Sequence, residues 1–170
     1  MGFKGTLAYL SLGSNLGDRL VNLEGGIEFL RNSQTIRLLK ISPLYDTKPW
    51  QVEDQPNYLN CAVSVSSLGG ARDLLNICQE AEIRAGRLGK GRKSPRPLDV
   101  DILLFGDLIL DTVDLIIPHP RLAQRRFVLV PLADIAPNLI VPGINQPVRK
   151  LLNDCSDHSE VQRVGEVIHK

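Results

Sequence analysis

The pattern of apolar and polar residues divides the chain up to Phe105 into four predicted strands and two predicted helices. Apolar residues alternate or run without interruption in the strand segments, and they recur at helical spacing in the other two. The strands are predicted over Thr6–Leu12, Thr35–Tyr45, Leu59–Val65 and Leu98–Phe105. One helix follows a cap at Asp18 and turns Leu20, Leu23, Ile27 and Leu30 inward; the other covers Ala71–Ala85, with Leu74, Leu75, Cys78 and Ala81 inward and Gly86 at its end.

This order of strands and helices is that of a ferredoxin-like βαββαβ sandwich. The predicted fold class is therefore α+β, with a mostly antiparallel sheet flanked by helices. Gly106 and Asp107 indicate a turn into Leu108–Leu110, and only short elements are predicted after it. The segment Asp46–Asn57 is too long for a tight hairpin turn, and long loops inside compact domains are typically functional.

Length, composition and charge limit the possibilities without naming a function. The chain has 170 residues, which suits a single domain over residues 1–170, and its 43% hydrophobic and 23% charged residues are typical of globular proteins. A net charge of +1 favours neither nucleic acid nor a membrane as partner. The three cysteines are scattered, and no apolar run is long enough for a membrane span, so we expect a reducing cytoplasmic location.

The most informative pair of residues is Asp99 and Asp101. Alternate side chains of a strand share a face, so both carboxylates point the same way, while Val100, Ile102 and Leu104 are expected to face a core. Two neighbouring carboxylates repel each other unless a cation lies between or beside them, and magnesium commonly uses one or two carboxylates together with substrate phosphates. The alternative is a strand end whose aspartates cap loops or pair with arginines.

The loop upstream of this pair carries positive charge and no acidic residue. Its glycines, Gly86, Gly89 and Gly91, favour mobility. Cations bind phosphate oxygens directly and carboxylates bind them through magnesium, so the loop and the aspartates together predict a metal–polyphosphate site. A solvated run of charge is the alternative. The spacing matches neither a P-loop nor a dinucleotide fingerprint. The cations are Arg84, Arg87, Lys90, Arg92, Lys93 and Arg96.

Three further residues carry chemistry that stays open at this point. Glu82 lies on the apolar face of its helix and needs a partner, either a ligand or a structural ion pair with Arg87 or Arg96. His119 stands between two prolines, where it serves phosphate binding, proton relay or structure alone. Phe127 begins an apolar run that is typical of core.

The succession of motifs resembles one family closely, the 6-hydroxymethyl-7,8-dihydropterin pyrophosphokinases of folate biosynthesis. The resemblance covers about residues 6 to 143, in order and at family-like spacing. No single motif is decisive, but the series is specific. Its members are Tyr9 to Asn15, Tyr45-Asp-Thr47-x-Pro49, Asp54 to Asn60, Gly86-Arg87, Pro95 to Asp101, Pro118-His119, Arg125-Arg-Phe127 and Pro131 to Pro137.

The resemblance implies transfer of pyrophosphate from MgATP to the pterin hydroxymethyl group, with release of AMP, by a monomeric enzyme. It implies that Asp99 and Asp101 bind two Mg²⁺ ions and that Asp99 lies near the acceptor hydroxyl. It places the nucleotide against one set of residues and the pterin against another. The nucleotide set is Gln79, Glu82, Arg87, Arg96, Ile102, His119 and Arg125, and the pterin set is Thr47, Pro49, Trp50, Tyr58, Asn60, Asp99 and Phe127.

The chain departs from the family mainly in the basic loop. Gly89 stands where a basic residue is common, Lys93 where the family often has tryptophan, and Trp50 where a small or aliphatic residue is common. Two other hypotheses therefore stay open: an RNA-binding module that uses the basic loop, and a non-catalytic relative that keeps the pocket. The first requires aromatic residues on an open sheet face, and the second requires ligand binding without turnover.

Overall fold

A computed structural model describes residues 4–87 and 94–167. The first part of the chain contains β1 (Thr6–Ser14), α1 (Arg19–Arg31), β2 (Ile36–Ile41), β3 (Leu44–Thr47), β4 (Tyr58–Ser67), α2 (Ala71–Arg84) and β5 (Asp99–Phe105). It continues with β6 (Leu110–Asp111), β7 (Ile116–Ile117), a 3₁₀ turn (Leu122–Gln124) and α3 (Arg126–Ile135). The last elements are β8 (Ile140–Val141), β9 (Gln146–Pro147), α4 (Val148–Asn153) and β10 (Val161–Gly165).

The main sheet is antiparallel throughout and confirms the predicted α+β class. Its strand order is β10-β3-β4-β1-β5, and β2 pairs with the other half of the long strand β4. The helices follow the predicted βαββαβ sequence, since α1 links β1 to β2 and α2 links β4 to β5. None of the helices within the described ranges is both long and apolar enough to cross a membrane.

The single strand predicted over Thr35–Tyr45 is wrong, because the structure breaks it at Ser42 and Pro43. Proline has no backbone N–H and cannot continue a ladder. Ser42 replaces the missing pairing locally: its backbone N–H donates to the Ala62 carbonyl, and its hydroxyl accepts from the Ala62 N–H, both at 2.8 Å. The break lets β2 and β3 pair with different halves of β4.

The sheet buries apolar residues on both faces. Helices α1 and α2 cover one face, where Leu23, Ile27, Leu30 and Leu74 pack against residues of the strands. Helices α3 and α4 cover part of the opposite face around a second core that includes Leu129 and Leu132. The uncovered remainder of that second face is where the predicted functional residues lie.

Two expectations about side-chain direction need correction. Leu104 joins the second core rather than the first, because a β-bulge between Ile102 and Leu104 adds a residue and reverses the alternation. Leu20 is 40% exposed at the start of α1, although Asp18 caps that helix as predicted by accepting from the Val21 N–H at 3.1 Å.

The region after Phe105 holds more regular structure than predicted. Helix α3 is ten residues long, and β10 joins the main sheet beside β3. Pro131 lies inside α3 without ending it, since the helix buries Val128, Leu129 and Leu132 in the second core. The predicted turn at Gly106 and Asp107 is present, and Leu110 beyond it begins the two-residue strand β6, which pairs with β7.

Candidate active site

Three neighbouring strands place the central residues in one row. Asn60 on β4 is opposite Gly13 on β1, and Gly13 is opposite Asp99 on β5. A Cβ atom at Gly13 would lie 2.7 Å from the Asn60 Oδ1 atom, so only glycine fits there without displacing the amide. Ser11 and Asp101 form the next row. Asp99 and Asp101 therefore share the open sheet face, as the alternation predicts.

Arginines hold Asp99 from two directions. The Nη1 atoms of Arg87 and Arg96 both donate to Asp99 Oδ1, at 3.1 and 2.9 Å. Arg87 also pairs with Glu82, whose Oε1 accepts from the Val100 N–H at 2.9 Å. Glu82 is 9% exposed and its pKa is raised, chiefly by burial. Its structural role as the partner of Arg87 is therefore evident, whatever further contact it makes to a nucleotide.

Asp101 lacks an ion pair within residues 4–87 and 94–167, although Arg125 lies near enough to favour its charged form. Burial, and then the charge of Asp99, raises the Asp101 pKa to about 7. Asp101 therefore has no directly paired counter-charge, and a divalent cation would supply it. No group of three or more potential ligands occurs among the described residues. Two carboxylates fit magnesium, which completes its octahedron with water and substrate phosphates.

A first cavity, of about 140 Å³, opens on the Asn60 side of the row. Asn60 is buried, and its Nδ2 donates to the Thr47 hydroxyl at 2.6 Å, which fixes the orientation of the amide. Three aromatic side chains, Trp50, Tyr58 and Phe127, line the same cavity. Polar edge groups between aromatic walls suit a flat heterocycle. All the residues predicted to contact a pterin line this cavity: Thr47, Pro49, Trp50, Tyr58, Asn60, Asp99 and Phe127.

A second cavity, of about 530 Å³, opens on the other side of Asp99 and Asp101. His119 and Arg125 line it as predicted, together with Arg121, which the sequence analysis did not select. Ile102 lines it as well, although its side chain packs in the first core. Gln79 is exposed on α2, one turn beyond Leu75, and does not line either cavity.

The ring of His119 is held in the neutral state. Its Nδ1 accepts from the Arg121 N–H at 3.1 Å, and its own backbone N–H donates to the Leu103 carbonyl at 2.9 Å. Burial, followed by the charges of Arg125 and Arg121, lowers its pKa to about 4. A neutral imidazole can still donate through Nε2 to a ligand in the second cavity.

The lowered pKa of His119 predicts a specific dependence of stability on pH. The unfolded chain binds a proton near the ordinary pKa of 6.5, whereas the folded chain does so only near 4. Stability from the neutral ring is therefore complete above pH 6.5 and is lost as pH falls through this window. We expect that loss to be about 2 kcal/mol, below the full linkage value because the ring is partly exposed.

Urea unfolding of wild type and His119→Asn at pH 7 and pH 4.5 measures this effect, because asparagine keeps an acceptor in place of Nδ1. Between pH 7 and pH 4.5, wild type should lose about 2 kcal/mol more unfolding free energy than His119→Asn loses. His158→Asn, at an exposed site, is the control and should run parallel to wild type. Parallel curves for His119→Asn would contradict the prediction.

Asn15 is a site residue whose role the sequence analysis missed. Its backbone N–H donates to the Arg96 carbonyl at 3.0 Å, and its Oδ1 accepts from the Arg96 N–H at 2.8 Å. Its Nδ2 donates to Gln55 Oε1 and to the Pro56 carbonyl, both at 3.2 Å. One buried amide thus joins the end of β1, the loop before β4 and the segment before β5. Asn15 lies in a predicted turn, which gives no hint of these distant contacts.

The structure describes only the two ends of the basic loop. Arg84 belongs to α2, where it pairs with Glu80 at 2.8 Å and stacks on Phe29, so it does not serve the site. Arg87 and Arg96 reach the aspartates as predicted. Gly89, Lys90, Gly91, Arg92 and Lys93 lie outside the described residues. Two cavities that meet at paired carboxylates and arginines are typical of an ATP-dependent group-transfer enzyme.

Comparisons with known proteins identify the family. The model of the 7,8-dihydro-6-hydroxymethylpterin-pyrophosphokinase (HPPK) family matches residues 9–137. The 2-amino-4-hydroxy-6-hydroxymethyldihydropteridine pyrophosphokinase of Methylorubrum extorquens is 39% identical over 159 residues, 94% of this chain and 99% of that protein. The Bacillus subtilis protein of the same name is 41% identical over 129 residues, 76% and 77% of the two chains. The chain belongs to the HPPK family.

Longer proteins contain a similar region. The chain is 38% identical over 150 residues to the folic acid synthesis protein fol1 of Schizosaccharomyces pombe, which covers 88% of this chain and 20% of that protein. The crystal structure of wild-type Plasmodium falciparum HPPK-DHPS with pteroate matches with a TM-score of 0.72 at 15% identity, over 89% of this chain and 44% of that one. That likeness supports the fold alone. The family match confirms the predicted enzyme class, an ATP-dependent transferase.

Proposed function

We propose that the protein transfers the pyrophosphoryl group of MgATP to the hydroxymethyl oxygen of 6-hydroxymethyl-7,8-dihydropterin and releases AMP. One observation carries this proposal: the two cavities meet at a shared set of charged residues. An acceptor in the first cavity and a triphosphate in the second would meet there with their reacting groups side by side. The shared residues are Arg96, Asp99, Asp101 and Arg125.

The charges at this junction suit a triphosphate that loses its terminal pyrophosphate. Arg87, just after α2, and Arg96, just before β5, lie beside Asp99 and would donate to phosphate oxygens. Arg125 and the neutral His119 serve phosphates from the opposite wall of the second cavity. Ile102 and, through Arg87, Glu82 complete the nucleotide side in this proposal. Gln79 would contact the nucleotide from α2, outside the lining of the second cavity.

The acceptor side is shaped for a flat ring with an amide edge. Tyr58 and Phe127 would contact the faces of the pterin, and the oriented Asn60 amide would contact its edge, with Thr47 and the loop at Pro49 and Trp50 closing the pocket. The hydroxymethyl group then points toward Asp99. As a carboxylate, Asp99 can accept the hydroxyl proton as the oxygen attacks the β-phosphorus in line.

Asp99 and Asp101 would hold two Mg²⁺ ions that enter with the nucleotide. Held there, the metal would neutralise phosphate charge and polarise the phosphoryl group. The protein supplies position and counter-charge: Asn15 fixes the backbone at Arg96, and the arginines fix Asp99. Binding of the nucleotide together with its metal therefore completes a site that is otherwise short of positive charge around Asp101.

We also infer that residues 1–170 form one pyrophosphokinase domain, which acts as a monomer in the cytoplasm. The residues proposed to contact the two substrates line two cavities that share four residues, which supports a site formed within one copy. The three cysteines are free and buried, which suits a reducing compartment. Sedimentation of the purified protein at micromolar concentration tests the monomer; a dimer would contradict it.

The decisive assay combines the protein, MgATP and 6-hydroxymethyl-7,8-dihydropterin and separates the nucleotides produced. We expect AMP and the pyrophosphorylated pterin in equal amounts, and no product when EDTA removes the metal. ADP or inorganic phosphate without AMP would contradict pyrophosphoryl transfer. Binding of both substrates without AMP would instead favour the non-catalytic relative. The RNA-binding alternative is disfavoured, because the open sheet face presents two carboxylates.

A further inference from the structure

The side chain of Trp50 contacts the wall of the second cavity, although its loop belongs to the first. Trp50 is the only tryptophan of the chain and is half-buried in the loop between β3 and β4. Its ring lies 4.9 Å from the guanidinium carbon of Arg125 and 5.6 Å from that of Arg121. Both arginines line the second cavity. The indole thus connects the loop on the pterin side to the cations on the nucleotide side.

Aromatic rings flank Arg125 and add to its charge interaction with Asp101. Its Nε is buried and has no hydrogen-bond partner among residues 4–87 and 94–167. The carboxylates of Glu82 and Asp99 form their ion pairs with Arg87 and Arg96 instead. The described contacts of its guanidinium are the rings of Trp50 and Phe127, the second at 5.7 Å. A guanidinium is weakly hydrated and stacks well on such rings, which leave its N–H groups free for an anion.

We infer that Trp50 is a positioning residue: its indole holds the Arg125 guanidinium between the two cavities, so the pterin-side loop sets the affinity for the nucleotide phosphates. The inference rests on the proposed function, which places phosphates beside Arg125. The role inferred for Trp50 belongs to its indole ring. The pterin is expected to contact the backbone of this loop, near Thr47 and Trp50. Coupling between two sites is reciprocal, so a nucleotide that engages Arg125 also affects the loop that closes over the pterin.

Trp50→Leu tests the inference with MgATP analogues in which a methylene group replaces the oxygen between the α- and β-phosphorus atoms. Calorimetry without pterin should show nucleotide binding about fivefold to tenfold weaker in Trp50→Leu, because a half-buried cation–π contact is lost. Trp50→Phe keeps an aromatic face and should recover most of that affinity. In assays of turnover, KM for ATP should rise more than kcat falls.

A double-mutant cycle separates positioning from general damage. In an Arg125→Gln background the substitution Trp50→Leu should have no further effect on nucleotide affinity, since the residue it positions is gone. Because Trp50 is the sole tryptophan, its fluorescence should change when the analogue binds wild type and should stay constant in Arg125→Gln.

The outcomes distinguish this inference from the proposed function. The positioning role would be overturned if wild type and Trp50→Leu bound the nucleotide equally well, or if the two losses of affinity simply added in the double variant. In either case, AMP formation by wild type would still uphold the proposed function. Wild type that neither binds the analogue nor forms AMP would contradict both. Loss in Trp50→Leu that Trp50→Phe fails to recover would also overturn the role assigned to the aromatic ring.

Discussion

Asp101→Asn is expected to lower AMP formation about 1000-fold and to leave a folded protein that is more stable than wild type in metal-free buffer. The substitution keeps the size of the side chain and removes the charge that would hold the metal. Arg87 and Arg96 bind Asp99, so their positions do not depend on Asp101. The loss should appear in turnover and in magnesium-dependent binding of ATP together.

The gain in stability follows from the direction of the pKa shift. Burial and the charge of Asp99 raise the Asp101 pKa from 3.8 to about 7 in the folded chain. The folded chain therefore binds a proton more tightly than the unfolded chain, so ionisation costs stability as pH rises from about 4 to 7, and the full cost is present above pH 7. Relief of that cost is expected to stabilise Asp101→Asn by about 2 kcal/mol at pH 8.

Thermal unfolding in EDTA and assays of AMP measure the two effects on one preparation. Asp107→Asn is the matched control, because Asp107 is exposed just beyond the same strand. It should change neither quantity. Full activity in Asp101→Asn would contradict the metal assignment, and lower stability at pH 8 would show that Asp101 supports the fold in a way that its charge does not explain.

The strands and helices that alternate apolar and polar residues were predictable because burial of one face leaves a period in the sequence. Strand β5 shows both the strength and the limit of that argument. Its alternation correctly placed Asp99 and Asp101 on one face, but the same alternation put Leu104 on the wrong side. A bulge adds one unpaired residue, and only the pairing with β1 reveals it.

Elements held by partners distant in sequence left no such period. Strand β10 pairs with β3 by its backbone and exposes most of its side chains, so its sequence shows no alternation. Helix α3 begins where Asp157 accepts from the Arg126 N–H at 3.0 Å, a cap supplied from beyond α4. Helix caps are usually formed by a residue next to the helix, so the sequence around Arg126 does not indicate this distant one.

The candidate site was predictable where charge was concentrated and obscure where structure supplied the contacts. Asp99, Arg87 and Arg96 stand out because like charges need compensation, and the structure brings all three together. Asn15 reaches Arg96 across 81 positions, and Trp50 reaches Arg125 from another loop. An amide or an indole is uncharged and needs no counter-ion, so the sequence gives no sign of the contacts that Asn15 and Trp50 make.

Arg96→Lys should lower kcat about 100-fold, and Arg96→Ala about tenfold further, with smaller effects on pterin binding. The Arg96 guanidinium has several donors in one plane, so it can hold Asp99 and offer further N–H groups to a transferring phosphate at once. Lysine keeps the positive charge but offers a single ammonium group, which must serve one of these partners at the expense of the other. Alanine leaves Asp99 with Arg87 alone and the carboxylate pair with less compensating charge.

The comparison of lysine with alanine separates charge from geometry. Arg84→Lys is the control, because Arg84 lies on α2 and pairs with Glu80 at the surface. Its kinetics should match wild type. Single-turnover measurements of AMP formation with saturating substrates report the chemical step directly. Equal rates in Arg96→Lys and wild type would show that charge alone is required, and unchanged rates in Arg96→Ala would place Arg96 outside the reaction, leaving Asn15 to hold a segment that serves only the fold.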